Sequence, residues 1–250
     1  MSLYEAQSYL RSMILLRDEV PTFRQYPFDL PAVSRLDRLD FHPKVTYIVG
    51  ENGMGKSTLL EAVAVALGFN PEGGTLNFTF STAATHSELY KYLRPSRGAA
   101  RPRDGFFFRA ESYYNLATEI DILDRENSFA PPIIDSYGGK SLHEMSHGES
   151  FFAAFMHRFS GHGLYILDEP EAALSPFRQM AMLSRIHELI GKRSQFIIST
   201  HSPILMAYPD SRIYQLTPDG IAETTLEETE HFIIMKEFVN NRERMLRELL

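Results

Sequence analysis

The sequence predicts an α/β fold with a mainly parallel core sheet flanked by helices, and three observations predict it. Val45-Thr46-Tyr47-Ile48-Val49 is a short, apolar, β-branched run that ends on a glycine and is followed closely by a stretch of helical composition. Phe106-Phe107-Phe108, Leu164-Tyr165-Ile166-Leu167 and Phe196-Ile197-Ile198 are continuous apolar runs of strand length, the pattern of strands covered on both faces. Between the last two lies a well-marked helix, so strand, helix and strand alternate as in a parallel crossover.

Taken in order, Met13-Ile14-Leu15-Leu16 reads as an early strand, followed by Val45–Val49. Ser57–Leu67 has helical composition and is stopped by Gly68. Leu76, Phe78 and Phe80 alternate as in a further strand. Residues 84 to 104 form a basic stretch punctuated by Pro and Gly, with Lys91, Arg94, Arg97, Arg101 and Arg103. After the Phe106–Phe108 strand, Ala130-Pro131-Pro132 and Tyr137-Gly138-Gly139 read as loop. Ser146 and Glu149 have capping-box spacing ahead of the apolar run Phe151–Phe155, which marks a capped core helix. A later helix has Ser175 as its N-cap, Pro176 in its first turn and Gly191 past its end, with Met182, Ile186, Leu189 and Ile190 on one face. The tail from Thr229 to Leu250 carries Phe232, Met235, Val239, Leu246 and Leu250 at helical spacing, and is expected to pack on the core or on a partner.

Composition narrows the class. A chain of 250 residues with 44% hydrophobic content can bury a full core, most simply as one domain, 1–250, with a subdomain near 85–160. It has no cysteine, which excludes disulfides, cysteine-ligated zinc and thiol catalysis. No uncharged apolar stretch reaches membrane-spanning length and the N-terminus does not read as a signal peptide, so a cytoplasmic protein without membrane insertion is expected. A net charge of −7 argues against a broadly basic nucleic-acid surface.

The chemistry concentrates in four places. Gly50-Glu51-Asn52-Gly53-Met54-Gly55-Lys56-Ser57-Thr58 has the G-x-x-x-x-G-K-[ST] pattern, between a strand and a helix. Glycines let backbone N–H groups turn in around phosphate oxygens, and the helix N-terminus adds positive potential. Lys56 is expected to bridge the β- and γ-phosphates and Ser57 to ligate Mg²⁺, which predicts an ATP-binding P-loop. Asp168-Glu169, after the strand Leu164–Leu167, has the form of a Walker B element: Asp168 for Mg²⁺ and Glu169 to polarise the attacking water. Ser199-Thr200-His201 follows the strand Phe196–Ile198, where His201 would reach a γ-phosphate or the attacking water. Ser146-His147-Gly148-Glu149-Ser150 opens a helix and, with its glycine, doubles as an anion site.

In this order the four elements resemble the ATP-binding-cassette (ABC) superfamily, over the span Val45 to His201. The resemblance makes Gly50–Thr58 the Walker A, Ser146–Ser150 the signature motif and Asp168-Glu169 the Walker B with its catalytic glutamate. His201 becomes the switch histidine. It implies a P-loop NTPase fold with an antiparallel β portion and a small helical signature subdomain. It also implies an ATP-dependent homodimer in which ATP on one P-loop meets Ser146, Gly148 and Glu149 of the other subunit. The chain departs from the family at several points. His147 and Glu149 replace Gly and Gln in the usual Leu-Ser-Gly-Gly-Gln, Met145 replaces the Leu, and Ser175 stands where an aspartate is usual. The glutamine expected after Phe106–Phe108 is absent, and Glu111 is the nearest replacement near Mg²⁺. Phe23, Tyr26 and Phe28 are candidates to stack on adenine, and all three also suit core packing.

The segment Asp168–Pro176 resembles the soluble, non-transporter branch, including repair and phage-defence relatives, which implies a DNA or nucleoprotein partner. Arg94, Arg97, Arg101, Arg103 and Arg109 then become candidate phosphate contacts, against the alternative that they are solvated or paired with acids. A transporter ATPase with a separate membrane protein, and a slowly turning switch, remain open. A rival of another class is His143-Glu144-Met145-Ser146-His147, which fits the zinc-peptidase pattern H-E-x-x-H. It needs one continuous helix through both histidines, whereas Ser146 is better used as a cap; no third histidine sits at the extended spacing, and Glu169 could serve as a downstream ligand only by abandoning its strand-end role.

Overall fold

The computed structural model describes residues 8–75, 87–109, 147–172 and 174–250. Its main sheet has seven strands: β3 (Val45–Gly50), β4 (Gly74–Thr75), β6 (Asp104–Arg109), β7 (Gly163–Asp168), β8 (Gln195–Ser199), β9 (Arg212–Thr217) and β10 (Gly220–Thr224), in the order β10-β9-β3-β8-β7-β6-β4. The five strands from β9 to β6 are mutually parallel, and β10 and β4 close the edges antiparallel. A second, three-stranded antiparallel sheet contains β1 (Leu10–Leu15) between β2 (Arg38–Asp40) and β5 (Leu93–Arg97). Mainly parallel core and antiparallel portion are thus both present.

Strand periodicity divides the core between two faces. Val45, Tyr47 and Val49 of β3, Phe106 and Phe108 of β6, and Tyr165 and Leu167 of β7 join one buried cluster. Ile48, Phe107, Leu164, Ile166 and Ile197 join the other. Alternate side chains point to opposite faces, so continuous apolar runs are what a sheet covered on both sides demands. One face receives α2 (Lys56–Leu67), α1 (Pro31–Ser34) and the small sheet; the other receives α3 (His147–His157), α4 (Pro176–Gly191) and α5 (Pro203–Met206). The expected face of α4 is buried at Met182, Ile186 and Leu189, with Ile190 packed beside it. Ser175 caps α4 by accepting the Arg178 N–H at 3.4 Å. The helix runs one residue further than the sequence suggests, through Gly191, and Lys192 is its C-cap.

Helix α3 docks through an aromatic ladder. Phe151 stacks on Phe108 with centroids 3.8 Å apart, Phe155 lies 5.0 Å from Phe159, and Phe159 stacks on Tyr165 at 4.3 Å. Burying each such ring contributes about 1.5–3 kcal/mol. At the foot of the ladder, Asp104 gathers polar donors. Its carboxylate accepts from the Tyr165 hydroxyl at 2.8 Å, Arg158 at 3.1 Å, and the backbone and hydroxyl of Ser160 at 3.2 and 3.1 Å.

One of the two alternatives for the tail is corrected: it forms α6 (Glu230–Asn240) and α7 (Arg242–Leu249), but Met235, Val239, Leu246 and Leu250 are exposed, so these apolar residues do not cover the core, which leaves the alternative of a partner. The basic stretch contains strand β5, which pairs with β1 from Leu10↔Arg97 to Leu15↔Leu93. The alternating Leu76, Phe78 and Phe80, and the loops at 130–132 and 137–139, lie outside the described residues. Among the described residues no helix is long and apolar enough to cross a membrane.

Burial alone pushes the Asp104 carboxyl up, but Arg158, the Tyr165 hydroxyl and the Ser160 donors outweigh it and hold it below the usual carboxylate value. A carboxyl depressed in the fold stabilises above its unfolded pKa, and that contribution is lost as pH falls through the lower folded value. Asp104→Ala is therefore expected to lower unfolding free energy by about 2–3 kcal/mol at neutral pH. Urea titrations should show a constant deficit from about pH 5 to 7, closing as pH falls below about 4.

Candidate active site

All the parallel strands present their C-terminal ends to one edge, and the register brings three of them level. Ile48 pairs with Ser199, and Ser199 with Asp168. The loop after β3 begins at Gly50, whose φ of +147° a side chain rarely adopts; a Cβ there would stand 2.7 Å from the Leu216 carbonyl oxygen. Gly55 ends the loop in the left-handed region at φ +93° and forms the N-cap of α2, so the helix starts with its free N–H groups facing the loop. Lys56, only 4% exposed, folds over this turn and donates to the carbonyls of Gly50 at 2.8 Å and Glu51 at 3.1 Å. Its ammonium lies 3.9 Å from Glu169 Oε1. Burial pushes its pKa down, and Glu169, Asp168 and Glu171 partly offset this.

Asp168 is 7% exposed at the end of β7. Its Oδ1 accepts from the Ser57 hydroxyl at 3.2 Å and from the Ser199 hydroxyl in a short hydrogen bond. Burial pushes its carboxyl up; the two serines and Arg109 pull the other way. A carboxylate and a P-loop hydroxyl sharing one buried point are a hard-oxygen donor set, which fits Mg²⁺.

Glu169 follows with φ +48°, a left-handed conformation costly for a residue with a Cβ. Its N–H donates to both the carbonyl and the hydroxyl of Ser199, each at 3.1 Å. The constraint aims a half-exposed carboxylate at the mouth of the site, where Oε1 lies 3.2 Å from Nε2 of His201. The His201 backbone N–H donates to Glu171 Oε1 at 2.6 Å. The other ring nitrogen of His201 lies 2.7 Å from His231 Nε2 on α6.

Lys56, Ser57, Asp168, Glu169 and His201 are thereby brought together by interactions that span the loop after β3 and the ends of β7 and β8. Glu111 and Ser146 lie outside the described residues, as do the side chains of Gly148 and Glu149; α3 begins at His147, one residue after Ser146. The three aromatic candidates separate. Phe28 is buried edge-on against Tyr92, and Phe23 is covered by the Arg17 guanidinium. Tyr26 is 64% exposed, with its hydroxyl 3.4 Å from that of Thr58. Of the two alternatives for Arg109, the structure shows the acid partner and not a surface phosphate contact: it pairs with buried Glu61 at 2.6 Å and donates to the Pro71 carbonyl at 3.2 Å. Sequence reasoning gave no role to Ser199, Glu171 or His231, which carry no motif spacing of their own.

Such a loop, strand order and carboxylate pair define a P-loop ATPase of the ABC superfamily. A family model described as "AAA domain, putative AbiEii toxin, Type IV TA system" matches residues 76–207, more than half of the chain, and the chain belongs to that family. A second model, "AAA domain", matches residues 22–102. The chain is 26% identical over 211 residues to the hemin import ATP-binding protein HmuV of Rhodopseudomonas palustris, covering 78% of each. It is 24% identical over 202 residues to the energy-coupling factor transporter ATP-binding protein EcfA2 of Methanospirillum hungatei, covering 74% of this chain and about half, 48%, of that one. A solved ATP-binding cassette of an ABC transporter, in its ADP conformation, is similar over 93% of this chain and 95% of its own at 18% identity and a TM-score of 0.47. The protein binds ATP and hydrolyses it.

Because burial raises the Asp168 carboxyl, its ionised form costs stability above the folded pKa, a cost absent from an amide. Asp168→Asn is expected to raise the melting temperature by about 2–4 °C without Mg²⁺ and nucleotide, for about 1 kcal/mol, while ATP turnover falls to background. Differential scanning calorimetry beside a phosphate-release assay checks both halves.

Proposed function

We propose that the chain works as an Mg²⁺-dependent, ATP-sandwiched homodimer whose cycle of closing and hydrolysis acts on DNA or a nucleoprotein partner. The observation that carries the reading is the meeting of Lys56, Ser57, Asp168, Glu169 and His201 at one edge of the sheet. The backbone of Gly50–Thr58 wraps the phosphates, and Lys56 leaves its carbonyl partners to bridge the β- and γ-phosphates. Ser57 and Asp168, with Glu111 as a further oxygen donor, hold Mg²⁺, which when bound neutralises charge on the phosphate oxygens. Glu169 accepts a hydrogen bond from the attacking water and draws its proton, while His201 Nε2–H donates toward the γ-phosphate. Tyr26 offers an exposed ring for adenine on the same side of the P-loop as Thr58.

Helix α3 supports the dimer. It packs on the sheet face opposite α2, and Phe151 in its second turn stacks on Phe108 at the C-terminal end of β6. The start of α3 at His147 then lies near the same sheet edge as the P-loop but across the sheet from α2, which suits the reading that Ser146, Gly148 and Glu149 contact ATP held by a second copy. Exposed Arg94, Arg97, Arg101 and Arg103 support a phosphate-bearing partner. The names of the two curated relatives favour a second reading, the ATPase subunit of a transporter with a separate membrane protein. Of the zinc-peptidase motif, His143 to Ser146 lie outside the described residues, and Glu169, which that reading would draw on as a downstream ligand, stays at its strand end beside Lys56 and His201.

Lys56→Ala is expected to weaken ATP binding at least about 30-fold, roughly 2 kcal/mol. Glu169→Gln should bind ATP normally, hydrolyse it about 100-fold or more slowly and run as a dimer only with ATP present. Normal turnover by Glu169→Gln would remove that residue from the chemistry, and a monomeric mass with ATP would remove the sandwich. Phosphate release with and without double-stranded DNA tests the partner. Stimulation that disappears at high salt supports DNA; indifference to DNA, with copurification of a membrane protein, supports the transporter reading.

A further inference from the structure

The contact between His201 and His231 has no counterpart in the four motifs. His231 lies in the first turn of α6, thirty residues after His201, with Nε2 2.7 Å from His201 Nδ1 and ring centroids 4.8 Å apart. We propose that His231 is a positioning residue for ATP hydrolysis: by donating from Nε2 to Nδ1 of His201 it fixes the tautomer and plane of that ring. The inference rests on the reading of His201 given above.

Proton bookkeeping selects the direction of the chain. The Glu169 carboxylate only accepts, so His201 Nε2, 3.2 Å away, carries a hydrogen. In a neutral ring Nδ1 is then an acceptor, and His231 must supply its Nε2–H. His231 Nδ1 is left as a bare lone pair, and it is buried with no hydrogen-bond partner among the described residues. The reverse assignment, a charged His201 donating to His231, would put the His231 proton on that same nitrogen and leave a buried N–H with no acceptor. Burial, then His201 and Lys56, push the His231 pKa down, consistent with a neutral ring. The same arrangement presents the His201 Nε2–H to the mouth of the site, where a γ-phosphate oxygen or Glu169 accepts it.

The contact is anchored by more than core packing of α6. Thr229, just before the helix, is fully buried and its hydroxyl donates to the Leu226 carbonyl at 2.7 Å. Upstream, the Thr225 N–H donates to Glu228 Oε2 at 3.2 Å, closing a capping box directly after β10. Beyond His231 and Phe232, by contrast, Ile233, Ile234 and Met235 are exposed. The sheet edge therefore delivers the first turn of α6 to His201, and the rest of the helix adds little to the core.

The test compares steady-state ATP turnover, KM and melting temperature for His231→Ala, His231→Gln, His201→Ala and the double alanine variant. A glutamine side-chain N–H occupies nearly the place of the histidine Nε2–H, so the proposal expects kcat to fall about 10- to 100-fold in His231→Ala, KM to stay within about twofold, and most of kcat to return in His231→Gln. The double variant should be no slower than His201→Ala, because both remove one unit. Wild-type kcat in His231→Ala, with His201→Ala impaired, overturns the positioning role alone. Equal losses in the Ala and Gln variants overturn it as well, as does a double variant whose losses multiply. Wild-type turnover in His201→Ala overturns the underlying reading of the site, and this inference with it.

Discussion

Most of this site depends on a buried carboxylate at a strand end. Asp168 is sequestered from water, yet its Oδ1 is shared by hydroxyls from two other elements, Ser57 on α2 and Ser199 on β8. That sharing is available only because the parallel register sets Ile48, Ser199 and Asp168 side by side. A slip of one residue in β7 would turn Asp168 to the other face and carry Leu167 out of the aromatic cluster beside α3. Hydrophobic burial of both sheet faces thus fixes the position of the group that burial itself disfavours. The next residue carries the remaining tension: Glu169 is held at positive φ by two hydrogen bonds to Ser199.

Much of this was legible in the sequence because it rests on local patterns. Phe106–Phe108, Leu164–Leu167 and Phe196–Ile198 are continuous apolar runs, and such runs are strands when both faces are covered. Lys56 and Ser57 announce themselves by the glycine pattern after Val45–Val49, and Asp168 and Glu169 by their place at the end of Leu164–Leu167. Strand β5 did not, because Leu93-Arg94-Pro95-Ser96-Arg97 is polar and contains proline, as an edge strand tolerates. For Arg109 the sequence left a phosphate contact and an acid partner equally open, because its partner Glu61 lies 48 residues away on α2. The tail has helical spacing and forms helices, but spacing alone does not say what an apolar residue meets, and there Met235 and Val239 meet solvent.

The residues whose roles escaped sequence reading share a physical character. Ser199, Glu171 and His231 act on a neighbour of theirs through polar contacts made across long sequence separations. Glu171 holds the His201 backbone N–H with one oxygen, while its other is buried without a partner among the described residues. Burial pushes the Glu171 carboxyl up, and hydrogen bonds from the His201 and Glu171 backbones and the Thr200 hydroxyl only partly offset it. His231 has a similar orphan at Nδ1.

Polar atoms left unpaired in a protein interior cost free energy, and folding selects against them wherever an alternative exists. Here both Glu171 and His231 contact His201, and His201 contacts Glu169, whose backbone is strained. The three costs share one small volume, beside the central strands β3, β7 and β8, which are buried on both faces. A side chain held from both sides, by Glu171 at its backbone and His231 at its ring, loses the rotational freedom that would otherwise oppose a single productive geometry. The disfavoured contacts and the ordered geometry are therefore one arrangement, and the stability that sustains it comes from the apolar strands beneath.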